Sequence, residues 1–209
     1  MTWAWDPRPK VLRYRDIETG RFLPRGEVLN YVDASIDASG IAGNLLGGYV
    51  YDGTLSPADF RALFREELKG EYTREYLLGI GGREQMTQAD WGRIGGMLKE
   101  QYGHLDDFIA ELEAGNLTPE QIAARINMYV NSSRESFERA HYQVAGKAGC
   151  DEELWGLGAS EHCPDCLEFA GMGWQPLKTF PYPGQGQTQC LTNCQCTVSY
   201  RNSTTGVVI

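Results

Sequence analysis

Five of the six cysteines in this 209-residue chain fall in two short patches near its end, and no other feature constrains the fold as much. The first patch is His162-Cys163-Pro164-Asp165-Cys166 and the second is Cys190-Leu191-Thr192-Asn193-Cys194-Gln195-Cys196. A Cys-x2-Cys turn presents two thiolates to one cation, and a second pair some two dozen residues later can close a tetrahedron around Zn²⁺. The spacer from Gly171 to Gln189 is rich in Gly and Pro and includes Pro181-Tyr182-Pro183-Gly184, which suits the loop or hairpin of a zinc ribbon or knuckle. Five thiols compete for four places. Cys163, Cys166 and Cys194 form the core of the expected set. Cys190 offers a Cys-x3-Cys second half and Cys196 a tighter Cys-x-Cys half. His162 is a further donor beside Cys163. The alternative to structural zinc is one or two disulfides formed in an oxidising setting. Cys150 stands apart and reads as a small buried residue.

A catalytic metal needs an open position and a general base. The zinc deaminases pair His-x-Glu with Pro-Cys-x-x-Cys, whereas His-Cys-Pro-Asp-Cys misplaces the proline and has no such glutamate. Gly79-Ile80-Gly81-Gly82 is neither a P-loop nor a dinucleotide fingerprint, and there is no Gly-x-Ser-x-Gly elbow.

Charge divides the chain. Residues 1–26 hold six basic and three acidic side chains, residues 27–160 hold 11 and 22, and residues 161–209 hold two and three, giving −9 in total. The expected architecture is mainly α: an extended basic N-terminal arm (1–26), an antiparallel helical body (27–150) and a small Cys-rich β/loop module (151–209). An acidic body argues against general nucleic-acid binding, and the module offers only Lys178 and Arg201 to phosphate. No apolar run is long enough for a transmembrane helix. The opening Met1-Thr2-Trp3-Ala4-Trp5 lacks a signal peptide's features, so folding in a cytosol is expected. Prolines at 7, 9 and 24 bar a continuous helix in the arm. Its aromatic and basic residues Trp3, Trp5, Arg13, Tyr14, Arg15, Arg21 and Phe22 either pack on the body or anchor on a partner, since aromatics and Arg are the usual interface anchors. On the second reading the arm is dispensable for folding.

In the body, Ser56-Pro57 starts a helix whose stripe includes Phe60, Leu63, Phe64, Leu68, Tyr72 and Tyr76. Thr87 with Asp90 starts a second, carrying Trp91, Ile94, Leu98, Leu105, Phe108 and Ile109. Gly95 and Gly96 mark a kink or a close helix approach within it. Thr118-Pro119-Glu120-Gln121 starts a third, whose stripe continues to about Lys147, roughly 45 Å of helix. Residues 27–50 are ambiguous between a short helix and a loose contact loop. The acidic side chains are expected on solvated faces, with His104 and His141 as ordinary surface or packing residues.

Trp155, His162-Cys163-Pro164-Asp165-Cys166, Pro183-Gly184 and Cys190 to Cys196 together resemble the C-terminal module of tailed-phage minor head, or head-morphogenesis, proteins. The phrase Tyr14-Arg15-Asp16 to Thr19-Gly20-Arg21-Phe22 is also similar to segments of phage structural proteins. Leu191-Thr192 stands where that family often has His-Pro, and Gln195 where it often has Arg, so Cys190 takes the place of a histidine one residue away. The resemblance implies a virion component made in a bacterial cytoplasm. It would bind portal or capsid in multiple copies, without catalysis. A zinc-knuckle nucleic-acid adaptor and a phage-encoded metal-dependent enzyme are the alternatives.

Overall fold

The computed structural model describes residues 1–6 and 11–209, apart from the side chains of Trp5 and Val11. The elements run β1 (Thr2–Asp6), β2 (Val11–Arg15), α1 (Arg25–Tyr51), α2 (Pro57–Ile80), α3 (Gln88–Glu113), α4 (Pro119–Asn131), α5 (Arg134–Lys147), β3 (Glu152–Gly156), α6 (Pro164–Gly171), β4 (Gln175–Pro176) and β5 (Thr197–Arg201). The protein is mainly helical, with an antiparallel β1–β2 hairpin and a three-stranded antiparallel sheet of order β4-β3-β5. Among the described residues no helix is long and apolar enough to cross a membrane.

Local capping fixes three helix starts. Ser56 accepts from the Asp59 amide with Pro57 at the first helical position, and both Thr87/Asp90 and Thr118/Gln121 form complete capping boxes. The inward stripes meet in one contiguous core that includes Phe60, Phe64, Phe108 and Tyr129. Leu63 and Trp91, expected in those stripes, stay half-exposed; Arg83 lies over the Trp91 ring. Gly95 and Gly96 lie inside the continuous helix α3 and do not meet a neighbouring helix: a Cβ at either has nothing within 4 Å.

Residues 27–50 are neither a loop nor a short helix but most of the 27-residue α1. Gly43 and Gly47 let α4 approach it, since a Cβ there would lie 2.7 and 2.5 Å from Ile126. The expected single helix from 118 to 147 is instead two, broken at Ser132–Ser133. Ser132 Oγ donates to the Tyr129 carbonyl at 2.6 Å, and Ser136 Oγ donates to that of Tyr72 at 2.7 Å. Serine hydroxyls that bond backbone carbonyls compete with the helical ladder, as Ser132 does here, and Ser136 ties the start of the next helix to α2.

The N-terminal segment is extended, as a hairpin, but it is folded onto its own body. Tyr14 is buried and its hydroxyl donates to the Gly79 carbonyl at 3.3 Å. The Trp3 indole donates to the same carbonyl at 3.0 Å and its ring stacks on His141. Arg13 pairs with Asp6, Arg15 donates to the Gly20 carbonyl, and Arg21 pairs with Glu27 of α1. Phe22 lies under the guanidinium groups of Arg13 and Arg15. Of the two readings of the arm, packing on the body describes Trp3 and Tyr14: the Gly79 carbonyl, left open at the end of α2, recruits both. Arg13, Arg15, Arg21 and Phe22 are engaged with their own chain. The side chain of Trp5, and Pro7 and Pro9, lie outside the described residues.

Several carboxylates expected at the surface are buried. Glu71 is fully buried and accepts from Ser39 Oγ at 2.7 Å, with Arg74 paired beside it. Glu138 and His141 are also enclosed, with His141 Nδ1 4.0 Å from a Glu138 oxygen; burial holds His141 below its usual pKa. Burial, reinforced by the neighbouring charge of Glu71, pushes Glu75 up from 4.5 to about 8. A carboxyl that binds its proton more tightly in the folded chain stabilises the fold at low pH. That contribution is lost as pH rises from 4.5 through about 8. Glu75→Gln should therefore gain stability on the parent between about pH 5 and pH 9, by about 2–4 kcal/mol. Urea unfolding of both proteins at the two pH values checks this; parallel pH profiles would refute it.

Candidate metal centre

The first half of the site is built at a helix start. Cys163 is the N-cap of α6 and Pro164 its first residue, so Cys166 follows one turn later on the same side. Cys163 Sγ lies 3.5 Å from Cys166 Sγ. The second half is a curled loop. Asp165 accepts from the Gln189 amide at 2.8 Å and from its side-chain amide at 3.0 Å, which pins the loop against α6. A 3₁₀ turn at Leu191–Asn193 follows, with Leu191 at φ 53, a left-handed conformation that a branched side chain rarely adopts. Such outliers collect at ligand clamps. Asn131 of α4 donates to Asn193 at 2.7 Å and fastens the loop to the body.

The loop brings Cys190 to 3.6 Å from Cys163 and 3.7 Å from Cys166, and Cys194 to 3.7 Å from Cys166. Cys163, Cys166 and Cys190 form one triad, and Cys166, Cys194 and Cys196 form a second, each with sulfurs within 4.8 Å of one another. All five expected cysteines converge, and Cys166 belongs to both triads. Four sulfurs at a Zn–S distance near 2.3 Å are about 3.8 Å apart, so the first triad matches one face of that tetrahedron. A disulfide needs about 2.05 Å; all six cysteines are free. The clustered cysteines can hold a metal ion.

The electrostatics point the same way. The thiol of Cys194 donates to Cys196, which pulls Cys196 down to about 5 against its burial, and the Gly158 amide adds to this. The same bond, together with burial, drives Cys194 far up, and burial does likewise for Cys166. Thiols this close cannot all ionise unless a cation compensates them. His162 Nδ1 approaches Cys196 Sγ at 3.9 Å, outside both triads. Cys150 is buried elsewhere, as expected. His104 is exposed on α3.

A small aromatic core backs the sulfurs. Trp155 of β3 lies across the sheet from Val198 and packs edge-on against Phe169 and Phe180. Comparison with protein-family models, with curated proteins and with solved structures finds no significant match to this chain. The centre rests on its geometry. Two residues beyond the sulfurs, Asp165 and Thr188, support the site. Thr188 Oγ1 lies 3.1 Å from Cys190 Sγ. Asp165, between the two cysteines of the first pair, was legible in principle as a residue that reaches the second loop.

Arg25, at the start of α1, donates to Thr197 Oγ1 at 2.6 Å, to the Val198 carbonyl at 2.7 Å and to the Ile209 carbonyl at 3.3 Å. The strand that follows Cys196 is thereby tied to the helical body.

Proposed function

We propose that the protein is a non-catalytic assembly component of the tailed-phage minor head type. On this reading its C-terminal module is held by one structural Zn²⁺, and it binds portal or capsid proteins in several copies. The observation that carries the reading is the convergence of Cys163, Cys166 and Cys190, with Cys194 against Cys166, within a module whose residue pattern resembles that family. In the proposed centre Cys163, Cys166 and Cys190 ligate, and the fourth position falls to Cys194 or Cys196, which share the second triad with Cys166. The ion would supply charge compensation and cross-linking, and no reaction is assigned to it. Placement in the virion follows from the family resemblance alone.

A nucleic-acid adaptor is less well supported. Arg201, one of the two bases of the module, pairs with Glu152 and lies 4.4 Å over the Trp174 ring, which leaves little for phosphate. Mass spectrometry of purified particles of a phage encoding this chain should find it in the virion at a fixed copy number. Its absence from particles, with the protein present in the lysate, would overturn the proposal.

A further inference from the structure

Helix α1 has two apolar faces, and the fold uses one of them. Val32, Ile36, Gly43 and Gly47 turn inward. On the opposite side Tyr31, Ala34, Ala38, Ile41, Leu45 and Gly48 are all exposed. Their spacing alternates between three and four residues, the seam period of two helices that pair along their length. Tyr31 is 56% exposed, Ile41 73% and Leu45 56%, and Tyr49 beside them 41%. Of the flanking positions 30, 35, 37, 42, 44, 49 and 51, only Asp37 is charged. The one base of α1, Arg25, is bonded to β5, and Arg74 of α2, which reaches Ser35 at the edge of this face, is paired with Glu71, so neither is left for a lipid or nucleic-acid surface.

We propose that this seam pairs with the same seam of a second copy of the chain, antiparallel across a two-fold axis. The order of side chains sets the direction. In the antiparallel register Tyr31 of one copy faces Gly48 of the other, Ala34 faces Leu45, and Ala38 faces Ile41. Every layer then joins one large and one small side chain, and the two-fold axis repeats each layer. A parallel pair would set Tyr31 on Tyr31 and Ile41 on Ile41 while leaving Ala34, Ala38 and Gly48 facing themselves, an alternation of overpacking and voids. The antiparallel contact is self-complementary, as a two-fold interface must be. It runs about 26 Å along the helix at 1.5 Å per residue and covers on the order of 1,000 Å² over both copies, the size at which specific association begins. This pairing depends neither on the metal nor on placement in a virion.

Sedimentation equilibrium of the full-length protein, from about 1 to 100 μM, tests it. The parent should sediment as a dimer. Ile41→Glu should weaken association at least about a hundredfold, because it places an unpaired charge in the seam. Gly48→Phe should do the same: a Cβ at Gly48 meets nothing within 4 Å in the single chain, but in the dimer the new ring collides with Tyr31 of the second copy. Both variants should keep the parent's circular dichroism, and their melting temperatures should lose the rise with protein concentration that dimerisation gives the parent. A parent that stays monomeric throughout, or a dimer unaffected by both substitutions, overturns the proposal. A dimer broken by Ile41→Glu yet indifferent to Gly48→Phe overturns the antiparallel register.

Discussion

Cys166→Ser is expected to be the most damaging thiol substitution, lowering bound zinc from one equivalent per chain to a small fraction. Cys166 is the one sulfur common to both triads and is itself buried. A serine in its place leaves neither triad complete. Structural zinc sites contribute about 10 kcal/mol or more of apparent binding energy, and that energy is also folding energy. The expected result is loss of order around Trp155, Phe169 and Phe180, with the helical signal of α2 and α3 retained. Chelation of the parent should have the same outcome. Elemental analysis, thiol titration before and after chelation, and near-ultraviolet circular dichroism measure it. A full equivalent of zinc retained in Cys166→Ser, with its thiols still protected, would remove the thiolate centre as the organiser of the module. Cys150→Ala, remote from the cluster, should leave zinc content unchanged.

The second large effect is expected at Gly79. An added Cβ would stand 2.4 Å from the Phe137 carbonyl oxygen and 2.8 Å from the Ala140 Cβ, both on α5. Neither is the movable end of a flexible side chain, so α2 and α5 must separate. That movement also disturbs the Gly79 carbonyl that accepts from Trp3 and Tyr14. Overpacking of this kind costs about 1–3 kcal/mol, against a gain of about 1 kcal/mol in helix propensity. With the hairpin disturbed as well, Gly79→Ala should cost about 2 kcal/mol in a denaturant titration, and Gly79→Leu should prevent folding. Gly95→Ala, on the open side of α3, is the control and should stabilise by up to about 1 kcal/mol. Equal stability of Gly79→Ala and the parent would refute the close-approach argument.

How far the sequence alone reached can be traced residue by residue. Helices α2, α3 and α4 begin where Ser56-Pro57, Thr87/Asp90 and Thr118/Gln121 indicate, because a cap is satisfied within four residues and needs no knowledge of the rest. Helix α1 was hidden for a physical reason. Apolar side chains on two faces blur a single stripe, and Gly43 and Gly47, poor helix formers in isolation, are compensated by α4. The break after Asn131 depends on serine hydroxyls whose partners lie on α2, and the docking of the hairpin depends on one carbonyl at Gly79. Those are tertiary facts that no local window contains. The metal site was legible as a set of five sulfurs, because thiolate spacing is itself the chemistry. The choice among them was not, since it turns on loop curvature around Leu191 and on the grip of Asp165 on Gln189.

The bonds of Arg25 also have a consequence for biosynthesis. Its partners Thr197, Val198 and Ile209 lie 172, 173 and 184 residues further along the chain. A nascent chain making α1 must therefore wait for almost all of the remaining translation before that end of the helix is secured. Cys190 to Cys196 emerge in the same late interval, so Cys163 and Cys166 leave the ribosome before the sulfurs that complete their cluster. Until then the first pair of thiols has no partners, and on the metal reading proposed above, closing the last strand and loading the ion are two parts of one terminal step.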